Sequence, residues 1–154
     1  MKDKANFYLL SIFAFIGFDF LKSGYGKLFG GEFVGSLSGT LGKFASKNPY
    51  PFMKWFLENT AIPNSVIFGY LTMWGEILTG LNLMLLSLFL IFSKKPQRWV
   101  YSLLVLGFLA GLSLNTTFYF AAGWTSASTE TVNMVMGFVN AVGLVYSVRK
   151  SMQS

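Results

Sequence analysis

The chain has 154 residues, 53% of them apolar and only 12% charged, with a net charge of +6 and neither cysteine nor histidine. About half the usual charged share cannot cover the surface of a soluble domain. The two missing residue types rule out disulfides, thiolate or imidazole metal sites, histidine-ligated haem and a histidine general base. The basic residues are scattered among apolar spans and form no Lys/Arg-rich face, which argues against nucleic acid as a partner and for cations at membrane boundaries.

The first apolar segment covers about residues 5–22. Asp19 and Lys22 interrupt its far end, so its length is marginal, and a continuation through Tyr25 to Phe29 is the alternative. Lys2 and Lys4 ahead of it resemble a secretory signal, but no small-residue cleavage site follows, so the segment reads as a retained helix.

The next forty or so residues are not simply a polar loop. Phe33, Leu37, Leu41 and Phe44 give one apolar face to a helix over about residues 32–46. Gly31, Gly35 and Gly39 form a small-residue line suited to close backbone approach. Asn48-Pro49-Tyr50-Pro51 then breaks the chain, and a short segment over residues 52–59 carries Trp55, Phe56 and Leu57. Their aromatic content favours two interfacial helices in the first extracytoplasmic loop over a soluble loop.

The second span, residues 66–92, carries Glu76 as its single charge and has Asn64 or Ser65 as a cap. The third, 99–120, and the fourth, 132–148, carry none, and Arg149-Lys150 stops the last. Ser128 or Thr129 is placed to cap the fourth, with Glu130 set favourably against the helix dipole. Gly107 and Gly111 make a GxxxG in the third, a hint of a helix-contact face. The expected fold class is therefore all-α, an integral membrane four-helix bundle with the lipid bilayer as its main partner. Four spans put both termini on one side. Lys2, Lys4, Lys94, Lys95, Arg98, Arg149 and Lys150 would share that side, against Lys22, Lys27, Lys43, Lys47 and Lys54 in a long segment opposite. The positive-inside rule places both termini in the cytoplasm, at the cell membrane.

An ionisable group inside a bilayer is costly and needs a partner or a purpose. At about 1.5 Å per residue, Asp19 lies roughly 20 Å up the first helix, Glu76 roughly 15 Å down the second and Asn115 roughly 25 Å up the third. Asn133 lies in the first outer turn of the fourth. With Lys27, these residues gather in the outer half of the bilayer. One reading is a polar pocket for a quinone head group or a small anion, with Trp74 as a wall. The other is a buried Lys27–Glu76 bridge that only sets helix register, with Asp19 at the interface beside Lys22. Asn82 and Asn140 read as amides joining helices. Trp99 marks the inner interface, and Trp55 and Trp124 the outer one. No zinc motif, nucleophile triad or phosphate-binding glycine loop is present.

Gly24-Tyr25-Gly26-Lys27-Leu28, Asn48-Pro49-Tyr50-Pro51-Phe52, Ile62-Pro63-Asn64, Gly75-Glu76 and Gly123-Trp124-Thr125-Ser126 together resemble the DoxX family. The resemblance is to its DoxD branch, the membrane subunit of thiosulfate:quinone oxidoreductase, and it spans most of the chain. It implies a four-helix membrane bundle, a quinone as electron acceptor with no metal or haem, and a second oxidoreductase subunit. In that setting Lys27 would attract the anion or bond a quinone carbonyl. Glu76 would hold Lys27 or relay a proton, and Asn115 and Asn133 would orient the ligand. DoxX relatives have other roles, so a non-enzymatic membrane scaffold or assembly factor is the alternative. A homo-oligomer is compatible with either reading, and a solute transporter would need one.

Overall fold

The computed structural model describes residues 4–93 and 97–153, and among them the chain is helical throughout, with no strand. Lys2, Lys94 and Lys95, used above to orient the termini, lie outside the described residues. The long helices are α1 (Lys4–Phe29), α4 (Ser65–Phe92), α5 (Arg98–Ala122) and α6 (Ala127–Gln153). All four are long and apolar enough to cross a membrane. Two shorter helices, α2 (Phe33–Ser46) and α3 (Pro51–Phe56), fill the connection between α1 and α4.

α1 runs unbroken past Asp19 and Lys22 to Phe29, so the longer alternative holds. Gly31, in the left-handed region at φ 73°, turns the chain from α1 into α2. The predicted periodicity of α2 is realised, with Leu37 and Leu41 buried. Gly35 and Gly39 face open space, as does Gly31, so that glycine line brings no backbone close. Pro51 starts α3 at a position where its missing N–H costs nothing. The chain then widens into a π-helical turn, Leu57–Ala61, in which Ile62 N–H donates to Leu57 O at 2.9 Å.

Two expected caps are corrected. Asn64 does not cap α4: its Nδ2 donates backward to Thr60 O at 2.9 Å. The start of α6 is held not by Ser128 or Thr129 but by Ser126, whose Oγ accepts from Thr129 N at 3.1 Å. Apolar periodicity locates the first buried turn, whereas the polar turn before it carries the cap.

Packing follows chain order: α1 lies against α4, α4 against α5, and α5 against α6, each pair antiparallel. α1 and α4 approach backbone to backbone. A Cβ on Gly80 would lie 2.5 Å from Leu21 N, and one on Gly24 would lie 2.9 Å from Ile77 N. A Cβ on Gly17 would collide with the backbone N of Met84. In α5, Gly107 and Gly111 do mark a contact face, but each accommodates an amide rather than a backbone. A side chain at Gly107 would strike Asn82 Oδ1, and one at Gly111 would lie 2.7 Å from Asn140 Oδ1. Asn82 joins helices as expected, its Nδ2 donating to Leu103 O at 3.1 Å. Asn140 instead bonds within its own helix, to Met136 O at 2.9 Å.

The bundle core runs through Phe13, Leu83, Leu104 and Phe108, with Phe13 and Phe108 edge to face at 4.8 Å. A second core lies under α2 and α3, where Leu37, Leu41, Met53 and Leu57 meet Ala121 of α5. The pin for this cap is Asn48. Its Nδ2 donates to Phe120 O at 3.1 Å and Ala121 O at 3.2 Å, while its Oδ1 accepts from Tyr50 N at 3.0 Å. It thereby satisfies carbonyls that a helix C-terminus leaves open. Asn48→Ala is expected to lower stability by about 2 kcal/mol, because three bonds go and buried carbonyls remain. Asn48→Asp should be at least as damaging, since it keeps the acceptor for Tyr50 but faces two carbonyls with a third oxygen. Thermal denaturation in detergent checks both.

Candidate functional site: a cavity beneath the α2–α3 cap

The two cores are separated by a cavity of about 410 Å³. Its floor comes from α1, α4, α5 and α6, and its cover from α2, α3 and the π-helical turn. Most of the wall is apolar, with Phe33, Leu37, Leu41, Phe44, Phe68 and Phe118 among the lining side chains. Polar groups enter from every long helix: Asp19, Ser23 and Lys27 from α1, Thr72 and Glu76 from α4, Asn115 from α5, and Thr129 and Asn133 from α6.

The spacing of these groups is a property of helices. Asp19, Ser23 and Lys27 recur every four residues and so form one stripe of α1. That stripe lies beside the Gly17–Gly24 line packed on α4, and the close helix approach is what brings Lys27 to Glu76. Lys27 Nζ donates to both Glu76 oxygens, at 2.8 and 2.6 Å, and to Ser23 Oγ at 2.8 Å. It also stands 5.3 Å from the centroid of the Phe33 ring, a cation–π contact with the cap. Both carboxylate oxygens lie on one side of the ammonium, so Glu76 alone matches its charge. The Glu76 side chain is 3% exposed and that of Lys27 22%. The carboxylate is therefore the more deeply held member of the pair.

Asn115 is 2% exposed, and its Nδ2 has no hydrogen-bond partner. A buried amide donor without an acceptor costs free energy, and the Asn115 side chain forms part of the cavity wall. Asn133 is half-buried and satisfies its own Nδ2 by donating to Thr129 O at 2.8 Å. Asp19 lines the same cavity and is exposed, with no ion pair to Lys22 or any other described residue.

Five of the six residues singled out from sequence thus share one cavity: Asp19, Lys27, Glu76, Asn115 and Asn133. Trp74 does not. It is half exposed and absent from the wall. Two residues of helix turn a side chain about 200° away, so Trp74 and Glu76 leave α4 on opposite sides. Sequence reasoning missed Ser23 and Phe33 as partners of Lys27. Ser23 was detectable from its position one turn before Lys27, but Phe33 lies across the Gly31 turn and carried no such signal. No group of three acidic, cysteine or histidine side chains suited to a metal occurs among the described residues. Compared with protein-family models, curated proteins and solved structures, the chain matches none.

Proposed function

We propose that the chain is the membrane subunit of a quinone-linked oxidoreductase and that the cavity receives the quinone head group. The observation that carries this reading is a largely apolar cavity into which the long helices bring a few polar groups, the Lys27–Glu76 pair and the Asn115 amide among them. Its volume falls in the range usual for small-molecule sites, about 300–1,000 Å³. A quinone ring offers two carbonyl acceptors on an apolar plane, which complements that wall. Reduction to the quinol takes two electrons and two protons. The chain has neither cysteine nor histidine, so in this reading the electrons come from a second subunit that oxidises thiosulfate or a related sulfur anion. Asp19, exposed at the cavity and outside any ion pair, is the group placed to pass a proton. The bundle sits in the cell membrane with both termini cytoplasmic, and α2 and α3 lie at the outer interface.

Membranes containing the protein and its partner are expected to reduce quinone in a thiosulfate-dependent way. Asn115→Leu should raise KM for the quinone about tenfold, the equivalent of one lost hydrogen bond of about 1.4 kcal/mol. Activity that persists unchanged in Asn115→Leu would sink the site assignment.

The scaffold reading has one observation in its favour: the Lys27 ammonium is held inside the fold by Glu76 and Ser23. A pair that only fixes helix register would look the same. Extraction of the purified protein separates the two, since a scaffold yields no quinone and loses assembly, rather than turnover, in Lys27→Ala.

A further inference from the structure

The helices that line the cavity do not close around it equally. α6 packs along α5 and α1 along α4, but α1 and α6 meet over only a short stretch. Their contacts lie toward the chain termini, where Tyr146 OH donates to Asn6 Oδ1 at 3.4 Å and the Tyr146 and Phe13 rings stand 5.7 Å apart. Asn133 is thirteen residues back along α6 from Tyr146. Counting as far along the antiparallel α1 from Asn6 and Phe13 brings Asn133 level with residues 19–26. At that level Asp19 and Ser23 on one side and Val132 on the other are exposed although all three line the cavity. The other approach, along the bundle axis, is covered by α2 and the π-helical turn, held down by Asn48 on the end of α5. The cavity therefore communicates sideways, through a cleft between α1 and α6 on the long flank of the bundle.

The charges in the cavity narrow what can use that cleft. Its ionisable lining groups are two carboxyls, Asp19 and Glu76, and one ammonium, Lys27. Glu76 matches the charge of Lys27 and Asp19 is left unmatched, so an anion meets a cavity of net negative charge. A neutral polar group, the Asn115 amide, lies on the same wall. We infer that the cavity is loaded laterally from the bilayer, through the α1–α6 cleft, by an uncharged amphiphile whose polar head meets the Asn115 amide, and that it rejects small anions. This rests on the cavity being a binding site. In the quinone reading it assigns the sulfur anion to another subunit and withdraws Lys27 as its attractant.

The test uses the full chain in phosphatidylcholine vesicles with two neutral probes, decylubiquinone and monoacylglycerol, and thiosulfate as competitor. Val132→Trp places an indole in the cleft at a position already half exposed, away from Lys27, Glu76 and Asn115. It is expected to slow uptake of either probe about tenfold or more, within the spread of association rates among variants of one site. Ser38→Trp, on the exposed side of α2 and off the cavity wall, should not slow uptake from the bilayer, and thiosulfate should not compete. Circular dichroism of each variant verifies the fold, and Val132→Ala, which widens the cleft, should leave uptake at least as fast as in the parent chain. Unchanged uptake in folded Val132→Trp, or competition by thiosulfate, overturns the inference. Binding of monoacylglycerol but not of decylubiquinone, with the cleft effect intact, supports lateral loading and removes the quinone reading instead. Failure of both probes to bind overturns both.

Discussion

Gly80→Ala is expected to destabilise the protein by about 2 kcal/mol, whereas Gly26→Ala should stabilise it by up to about 1 kcal/mol. Both glycines lie inside long helices, where alanine is the better helix former, so local propensity predicts the same gain at each site. What differs is the space. A methyl group on Gly26 meets nothing within 4 Å. On Gly80 it would lie 2.5 Å from Leu21 N and 2.7 Å from Gly17 O, which are backbone atoms that cannot rotate away. The helices must separate, and the dispersion contacts along the whole α1–α4 seam weaken with them. Gly17→Ala should behave as Gly80→Ala does. The double variant should cost less than the two single costs together, because one separation relieves both collisions. Reversible unfolding in mixed detergent micelles measures all four. A stabilised Gly80→Ala would mean that α1 and α4 do not meet at this distance.

Breaking the Lys27–Glu76 pair should produce the second large effect, and the two halves are unequal. Lys27→Met leaves a carboxylate with a 3% exposed side chain and no cation beside it, and removal of one partner of a buried pair costs about 3–5 kcal/mol. Glu76→Gln should cost less, about 1–2 kcal/mol. The remaining ammonium keeps Ser23 Oγ and gains an amide oxygen as acceptor, and its longer, more exposed side chain can swing toward the helix end. Lys27→Met combined with Glu76→Leu removes both charges and should recover most of the loss. Equal costs for the two single changes, or no recovery in the double, would show that the pair does not hold α1 to α4. The same variants carry functional information: if the cavity binds a neutral head through Asn115, the double variant folds and still binds.

Much of the architecture was legible from residue pattern alone because it depends on local quantities. Runs of apolar residues with one or no charge mark α4, α5 and α6, and steps of four, four and three mark α2. The polar residues found in the cavity were picked out for a related reason. A charge or amide within an apolar run is conspicuous whatever the fold, and helix rise places it at a depth. Trp74 shows the limit of that argument. Depth is additive along a helix, but direction turns by about 100° at each step, so a neighbour in sequence at the same depth leaves from the opposite side.

The glycines show a second limit. Gly31, Gly35 and Gly39 have the regular spacing of a contact line, yet they face open space. Gly17, Gly24 and Gly80 carry the closest backbone approach from positions that no regular glycine spacing marks. A missing side chain permits close approach but does not cause it. Whether a neighbour comes near is decided by how the larger residues around it pack.

The sequence by itself determined that this is a helical chain with four segments long and apolar enough to cross a membrane, and with ionisable groups whose isolation in apolar runs demanded partners. Those conclusions follow from hydropathy and helix periodicity, which act within a segment. Only the tertiary structure decided that both Glu76 oxygens face Lys27, that Ser23 joins the pair, and that Asn115 is left with a donor and no acceptor. It also decided that Asn48 pins the cap while α1 and α6 part beside the cavity. Each of these depends on the separation and rotation of helices far apart in the chain. Those quantities are set by the close packing of many side chains at once, and no single segment encodes them.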